Sequence, residues 1–246
     1  MQEIVYHTNF EVENSYFWFL SRNEIISKII SKLTTLKSGD DVIDIGCGTG
    51  GFASVLAHNF NVCCLDMEPI ALDYCKKRGL EDRFLGSTTE MIETGRKFKT
   101  AFMLDVIEHI EDDKSVVADV FNLLEPGGYF VAAVPAYQWM WSGHDEMHMH
   151  FRRYSMKSFL PLFENAGFDL KYQSYFNTFL CIPAIAKRML DKFTGADKKN
   201  TEPVDILPEY LNKFFKKIFS AEKYFLPKIK FPFGLSILVV VQKPKK

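Results

Sequence analysis

A chain of 246 residues with a net charge of −1, 47% hydrophobic and 25% charged, has the make-up of an ordinary globular protein with enough apolar residues for a sizeable core. That balance gives no electrostatic ground for nucleic acid as a partner, and no apolar run reaches the roughly 18 residues of a membrane span. Five cysteines without a CxxC pair, and no secretory signal at the amino terminus, are read as a single cytoplasmic domain with free thiols.

In chain order, residues 1–38 form an N-terminal helical cap. Ser21 and Glu24 have the spacing of a capping box, followed by the apolar stripe Ile25, Ile26, Ile29, Ile30 and Leu33, so a helix is predicted to begin there. "DDVIDIGCGTGGF" reads as a buried strand breaking into a glycine turn. A helix "ASVLAHNF", a strand "NVCCLD" and a helix "PIALDYCKKRG" follow, the last with Pro69 in its first turn and Gly79 at its end. "RFLG" and "KTAFMLD" are further strands, and "DKSVVADVFNLLEPGG" is a helix with a Pro-Gly-Gly stop running into the strand "YFVAAVP". "SMKSFLPLFENAG" is helical, with Pro161 either kinking it or forcing a start near Ser158. "GFDLKYQSYF" and "GLSILVVVQK" are the last two strands, separated by a helical insertion over 177–232. Short apolar strands alternating with helices predict a parallel sheet covered on both faces.

Gly46, Gly48 and Gly51 satisfy GxGxxG, which places a ligand against bare backbone. Asp66 ends the next strand, about 20 residues on, where an acid can hold ribose hydroxyls. Asp44, two residues before the turn, favours a ligand with a cationic head over the pyrophosphate of a nicotinamide or flavin cofactor. A purely structural glycine turn is the remaining reading.

"VIDIGCGTG", "CLDMEP", "FLGSTTEM", "FMLDVIEHI" and "LLEPGGYFVAAVP" together resemble the successive motifs of the class I S-adenosylmethionine-dependent methyltransferases across residues 40–135. The resemblance implies a three-layer Rossmann-like α/β fold with seven strands, the last antiparallel. It implies S-adenosylmethionine as cofactor, with Asp44, Gly46, Cys47, Gly48 and Gly50 along its methionine part. Asp66 would take the ribose, Met67 the adenine face, and Ser87 and Thr88 the adenine amine. Asp105, Val106 and His109 would stand nearest the sulfonium, although Glu108-His109 has an equal reading as a structural pair. "SYFWFLSRNE" is similar to a pattern of one bacterial branch, in which Arg22 would pair with the methionine carboxylate; a solvated arginine beside a core aromatic cluster is the alternative.

"SGHDEMHMHFRRYS" begins just after the fifth strand, where this fold places the acceptor, and resembles a segment of that same branch. His144 is the expected general base, held by Asp145. His150, Arg152, Arg153 and Tyr154, with the flat faces of Trp139 and Trp141, are the expected acceptor contacts. The competing readings are a structural polar loop and a metal site on His144, Asp145, His148 and His150; the preferred reading has no metal.

From Lys187 to Lys230, eleven Lys/Arg stand against six Asp/Glu, interleaved with phenylalanine. This insertion is read as a lid, a dimer contact or a peripheral contact with the inner face of a membrane. The expected activity is methyl transfer to an oxygen of a small-molecule, lipid-linked or glycan-linked acceptor. The rivals are a non-catalytic S-adenosylmethionine-binding module and an NAD(P)-dependent oxidoreductase. The sequence leaves the oligomeric state open.

Overall fold

The alternating pattern becomes five parallel strands, β1 (Asp41–Ile45), β2 (Asn61–Asp66), β3 (Arg83–Leu85), β4 (Phe98–Leu104) and β5 (Leu124–Pro135). Two more follow, β6 (Asp169–Phe176) and β7 (Ser236–Gln242), in the spatial order β3-β2-β1-β4-β5-β7-β6. β7 runs antiparallel to both neighbours, with Val131 opposite Val240 and Ser174 opposite Leu238. This is the seven-stranded methyltransferase sheet that the motifs imply. The computed structural model describes residues 3–194 and 207–245, so the middle of the 177–232 insertion lies outside the described residues.

Period-two alternation sends neighbouring residues to opposite layers. Val42, Val131 and Ala133 enter one core with Ile25, Ile26 and Phe52, from helices α2 (Phe17–Leu33) and α3 (Gly51–Leu56). Ile43, Phe130 and Ala132 enter the other, with Val117 of α6 (Asp113–Leu123) and Phe159 of α8 (Met156–Asn165). α4 (Pro69–Lys77) joins the first layer and α5 (Thr88–Glu93) the second. Helix α8 starts at Met156, capped by Ser155, and continues through Pro161. The Pro126-Gly127-Gly128 run is absorbed into β5, where the pairing with β4 slips between Phe98 and Thr100.

The amino terminus departs from its predicted boundaries. A first helix, α1 (Glu3–Val12), lays Tyr6 against Ala71 and Tyr74 of α4. Helix α2 then starts at Phe17, whose N–H is taken by Asn212 Oδ1 (2.7 Å), so Ser21 and Glu24 lie inside the helix and cap nothing. Their polar groups face α10 (Glu209–Ser220) and the turn after it. Ser220 Oγ donates to Ser21 Oγ (2.9 Å), while Lys216 and Lys223 reach Glu24 at 3.2 and 2.6 Å. What reads locally as a cap is a seam between two helices. The buried Glu222 carboxylate accepts the backbone N–H groups of Asn177, Thr178 and Phe179, tying the start of the insertion to its end.

Candidate active site

The carboxyl ends of β1, β2, β4 and β5 open onto one cavity of about 950 Å³, closed by the amino-terminal helices and by α9 (Cys181–Thr194). Order reverses between β1 and β4, and the crevice beyond such a reversal is where open α/β sheets bind ligands.

The glycine turn forms one wall. Gly46 has φ +66°, and a Cβ there would stand 2.7 Å from both methyls of Val106, so only glycine fits. At Gly48 (φ +54°) nothing approaches the Cβ position within 4 Å, and the backbone lies bare on the cavity. Gly48 N–H donates to Asp66 Oδ2 (2.9 Å) and Glu68 N–H to Asp66 Oδ1 (3.0 Å). Burial raises the Asp66 carboxyl to about 6 against the pull of these two amides, which leaves it ionised at neutral pH. Met67 is 71% exposed beside it on the cavity rim. Cys47 also lines the cavity, its Sγ 3.7 Å from that of Cys75.

Asp44 and Gly50 do not line the cavity. Alternation along β1 turns the Asp44 side chain into the layer beneath the turn, where burial, followed by the nearby Cys75, pushes its carboxyl up to about 8. Gly50 is a helix cap with φ +79°, backed by Leu80 and Cys75. A carboxylate that does face the ligand space beyond β4 is Asp105, at φ +59°. Arg22 donates to it through Nη1 (2.6 Å) and lies over the Trp18 ring (4.7 Å). Arg22 is thus in the cavity wall as expected, but its guanidinium is already paired. Ser87 and Thr88 line the cavity too, with hydroxyls engaged by Glu90 (2.9 Å) and Asp119 (2.7 Å).

One contact at this end has no signature in the sequence. Glu13, after α1, accepts from Thr49 Oγ1 (2.5 Å) and Arg78 Nη2 (3.0 Å), so the first helix is latched onto the glycine turn. No local motif marks such a pairing across 36 and 65 residues.

The histidine loop forms the opposite wall. Short helix α7 (Gly143–Met147) brings His144 and His148 together at 4.0 Å between ring centroids, and His109 meets His150 edge-on at 4.5 Å. All four rings line the cavity. Asp145 does not hold His144. Its carboxylate is fully buried and accepts His150 Nδ1 (2.9 Å), Arg153 Nε (2.6 Å), Arg153 Nη2 (2.9 Å) and Ser142 N–H (2.9 Å). Burial alone would raise this carboxyl; the bonds from His150 and Arg153 outweigh it and hold it well below the usual carboxylate range. The cause is geometric: in a helical turn Asp145 points away from its neighbour His144 and toward the returning strand of the loop. His150 is therefore the imidazole whose orientation a buried carboxylate fixes. Burial, then the His150 and His148 rings, push His109 down to about 3. Desolvation, then the His148 ring, lower His144 as well.

Four expected acceptor contacts stand outside the cavity. Arg152 pairs with Asp113 (2.8 Å) and donates to the Glu111 carbonyl (2.8 Å), and Tyr154 Oη donates to Asp113 (2.8 Å). Both pin the loop to the start of α6. Trp139 stacks on Tyr137 at 5.7 Å, and neither it nor Trp141 reaches the cavity. Arg153 lines it but is held bidentate by Asp145. For these arginines the structural reading of the loop prevails.

Comparison with known proteins matches residues 19–173 to a family described as a methyltransferase domain. A ubiquinone biosynthesis O-methyltransferase of Rickettsia canadensis (strain McKiel) is 30% identical over 109 residues, 42% of this chain and 46% of its own length. The chain thus spans less than half the length of the curated relatives it matches. Among solved structures, a methyltransferase from Bacillus halodurans C-125 superposes with a TM-score of 0.59 at 20% identity, covering 89% of this chain and 98% of that one. A SAM-dependent methyltransferase from Archaeoglobus fulgidus gives 0.60 at 14%, covering 95% and 99%. At these identities the likeness is one of fold.

Proposed function

The chain belongs to the methyltransferase domain family and takes S-adenosylmethionine as its cofactor, and from that premise we propose that it carries the methyl group to an oxygen of a small-molecule acceptor. The donor set fits that cofactor: a bare glycine backbone, an ionised Asp66 with lone pairs left for ribose hydroxyls, and Met67 open for an adenine face. Asp105, in place of Asp44, offers a carboxylate to the ammonium head, and Arg22 a guanidinium to the carboxylate. When bound, S-adenosylmethionine supplies an electrophilic methyl carbon on a sulfonium. The protein's share is to place the acceptor oxygen in line and to favour its deprotonated form.

The observation that carries the proposal is the Asp145–His150 pair, a clamped imidazole lining the same cavity as the glycine turn. His150, and not His144, is the side chain assigned to prepare the acceptor oxygen. Methyl transfer at oxygen accords with the name of the Rickettsia relatives. His150→Ala is expected to lower turnover by roughly 10²–10⁴-fold with unchanged calorimetric affinity for S-adenosylmethionine. An unaltered rate overturns the assignment. Titration with NADH on the same sample separates the oxidoreductase alternative, and uptake of S-adenosylmethionine without turnover on any hydroxylated acceptor would favour the non-catalytic module.

One further observation favours an acceptor attached to lipid. Helix α9 lines the cavity with Leu180 at its start and Ala184, while Ile182, Leu190 and Phe193 face outward, Phe193 at 92% exposure. An apolar face beside basic residues suits the headgroup layer of an anionic bilayer. No helix among the described residues is long and apolar enough to cross a membrane. Vesicles of anionic lipid are expected to sediment the protein and Phe193→Glu to release it; equal partition with neutral vesicles rejects this contact.

A further inference from the structure

We propose that Glu108, His109 and His150 form a binding site for a divalent transition-metal ion in the acceptor wall of the cavity.

Glu108 follows β4 on a short 3-10 turn with His109. Its side chain is fully buried, and neither carboxylate oxygen has a hydrogen-bond partner among the described residues. A buried carboxylate without a partner is among the costliest groups a fold can carry. The turn does not require this side chain for its shape, since the backbone carbonyl of Glu108 already receives Phe151 N–H (2.8 Å). The nearby charges make matters worse. Asp105 and Asp145 are acidic, and Arg153, the cation facing Glu108, is already spanned by Asp145. A carboxyl so placed can ionise only with a cation beside it.

The neighbours supply the remaining ligands. One donor atom from each of Glu108, His109 and His150 lies within 4.8 Å of the others. Donors on opposite sides of an ion with bonds of about 2.0–2.2 Å stand up to ~4.4 Å apart, so small side-chain rotations close the set. The two rings meet at 85°, which lets their nitrogens converge from different directions. An outer layer is in place as well. Asp145 holds His150 Nδ1 and leaves Nε2 to coordinate. A carboxylate behind the ring is a usual means of fixing a metal-bound imidazole.

Two imidazoles and one carboxylate suit an ion such as zinc, cobalt or iron(II) better than magnesium or calcium. Three protein ligands leave coordination positions open to the cavity, where a hydroxyl of the acceptor can enter. Bound there, that hydroxyl loses its proton to cavity water more readily. This use of the site rests on the methyl-transfer reading and specifies how His150 prepares the oxygen: as a ligand.

The test uses the full chain, stripped with a chelator and titrated with Co²⁺ alone, followed by calorimetry and visible absorption. One equivalent is expected to bind, with a ligand-field band from mixed nitrogen and oxygen donors. Glu108→Gln, nearly isosteric, and His109→Ala should each weaken binding at least tenfold, while the exposed, remote His58→Ala leaves it unchanged. Circular dichroism shows whether each variant is folded, and two variants on different side chains guard against loss of one. Absence of saturable binding at millimolar Co²⁺, or full affinity in folded Glu108→Gln, overturns the site. Because the readout needs neither cofactor nor turnover, its failure leaves methyl transfer standing. Failure of S-adenosylmethionine uptake with Co²⁺ retained would do the reverse.

Discussion

The glycine turn and the histidine loop face each other across one cavity and are built on opposite plans. The turn presents backbone: Gly46 and Gly48 take positive φ, and Asp66 reaches Gly48 across the single strand pair β1–β2. The loop presents side chains held by other side chains, with Asp145 at the centre of a network joining Ser142, His150 and Arg153. A surface made of backbone tolerates change at its flanks and none at its glycines. A surface made of a buried charge network fails as a unit.

Asp145→Ala is therefore expected to act hardest. It strands the Arg153 guanidinium and frees His150, at a cost of about 3–5 kcal/mol in denaturant unfolding. A loss near zero would mean the loop is not ordered by this carboxylate. Gly46→Ala comes next. It adds left-handed strain and a contact with both Val106 methyls, together roughly 2–3 kcal/mol, and cofactor affinity should fall with it. Retention of both would break the contrast from the other side. The smallest effect sharpens it. Asp66 has its carboxyl raised to about 6, so its charge, and with it cofactor affinity, is present above that pH and is lost as pH falls through it. Asp66→Asn should bind about tenfold more weakly at pH 8 and with a flat profile between pH 5 and 8. An equally flat profile in the unaltered protein would remove Asp66 from the ribose contact.

The same contrast explains what the sequence made legible. The parallel sheet is legible in local periodicity and Gly46, Gly48 and Asp66 in a short motif, whereas the antiparallel strand and the place of Asp105 follow from the family resemblance. The loop's place beside the fifth strand is legible as well, but its internal pairing is not. Adjacency suggested Asp145 for His144, whereas the fold brings His150 and Arg153 back onto it. Ser21 and Glu24 misled for the same reason, since their partners Ser220, Lys216 and Lys223 lie nearly 200 residues away. Asp44 shows the converse limit. A strand position fixes the side a residue faces, yet does not reveal that this side lies beneath the turn.

The slot occupied by β7 bears on how the molecule is assembled. Ser236–Gln242 sits between β5 and β6, so the penultimate strand has no seat on the sheet until the final one arrives. Until then β5 offers a bare hydrogen-bonding edge to any extended chain nearby. Closure must wait for contacts spanning more than a hundred residues, which predisposes the protein to slow maturation and to strand exchange between copies when synthesis is rapid.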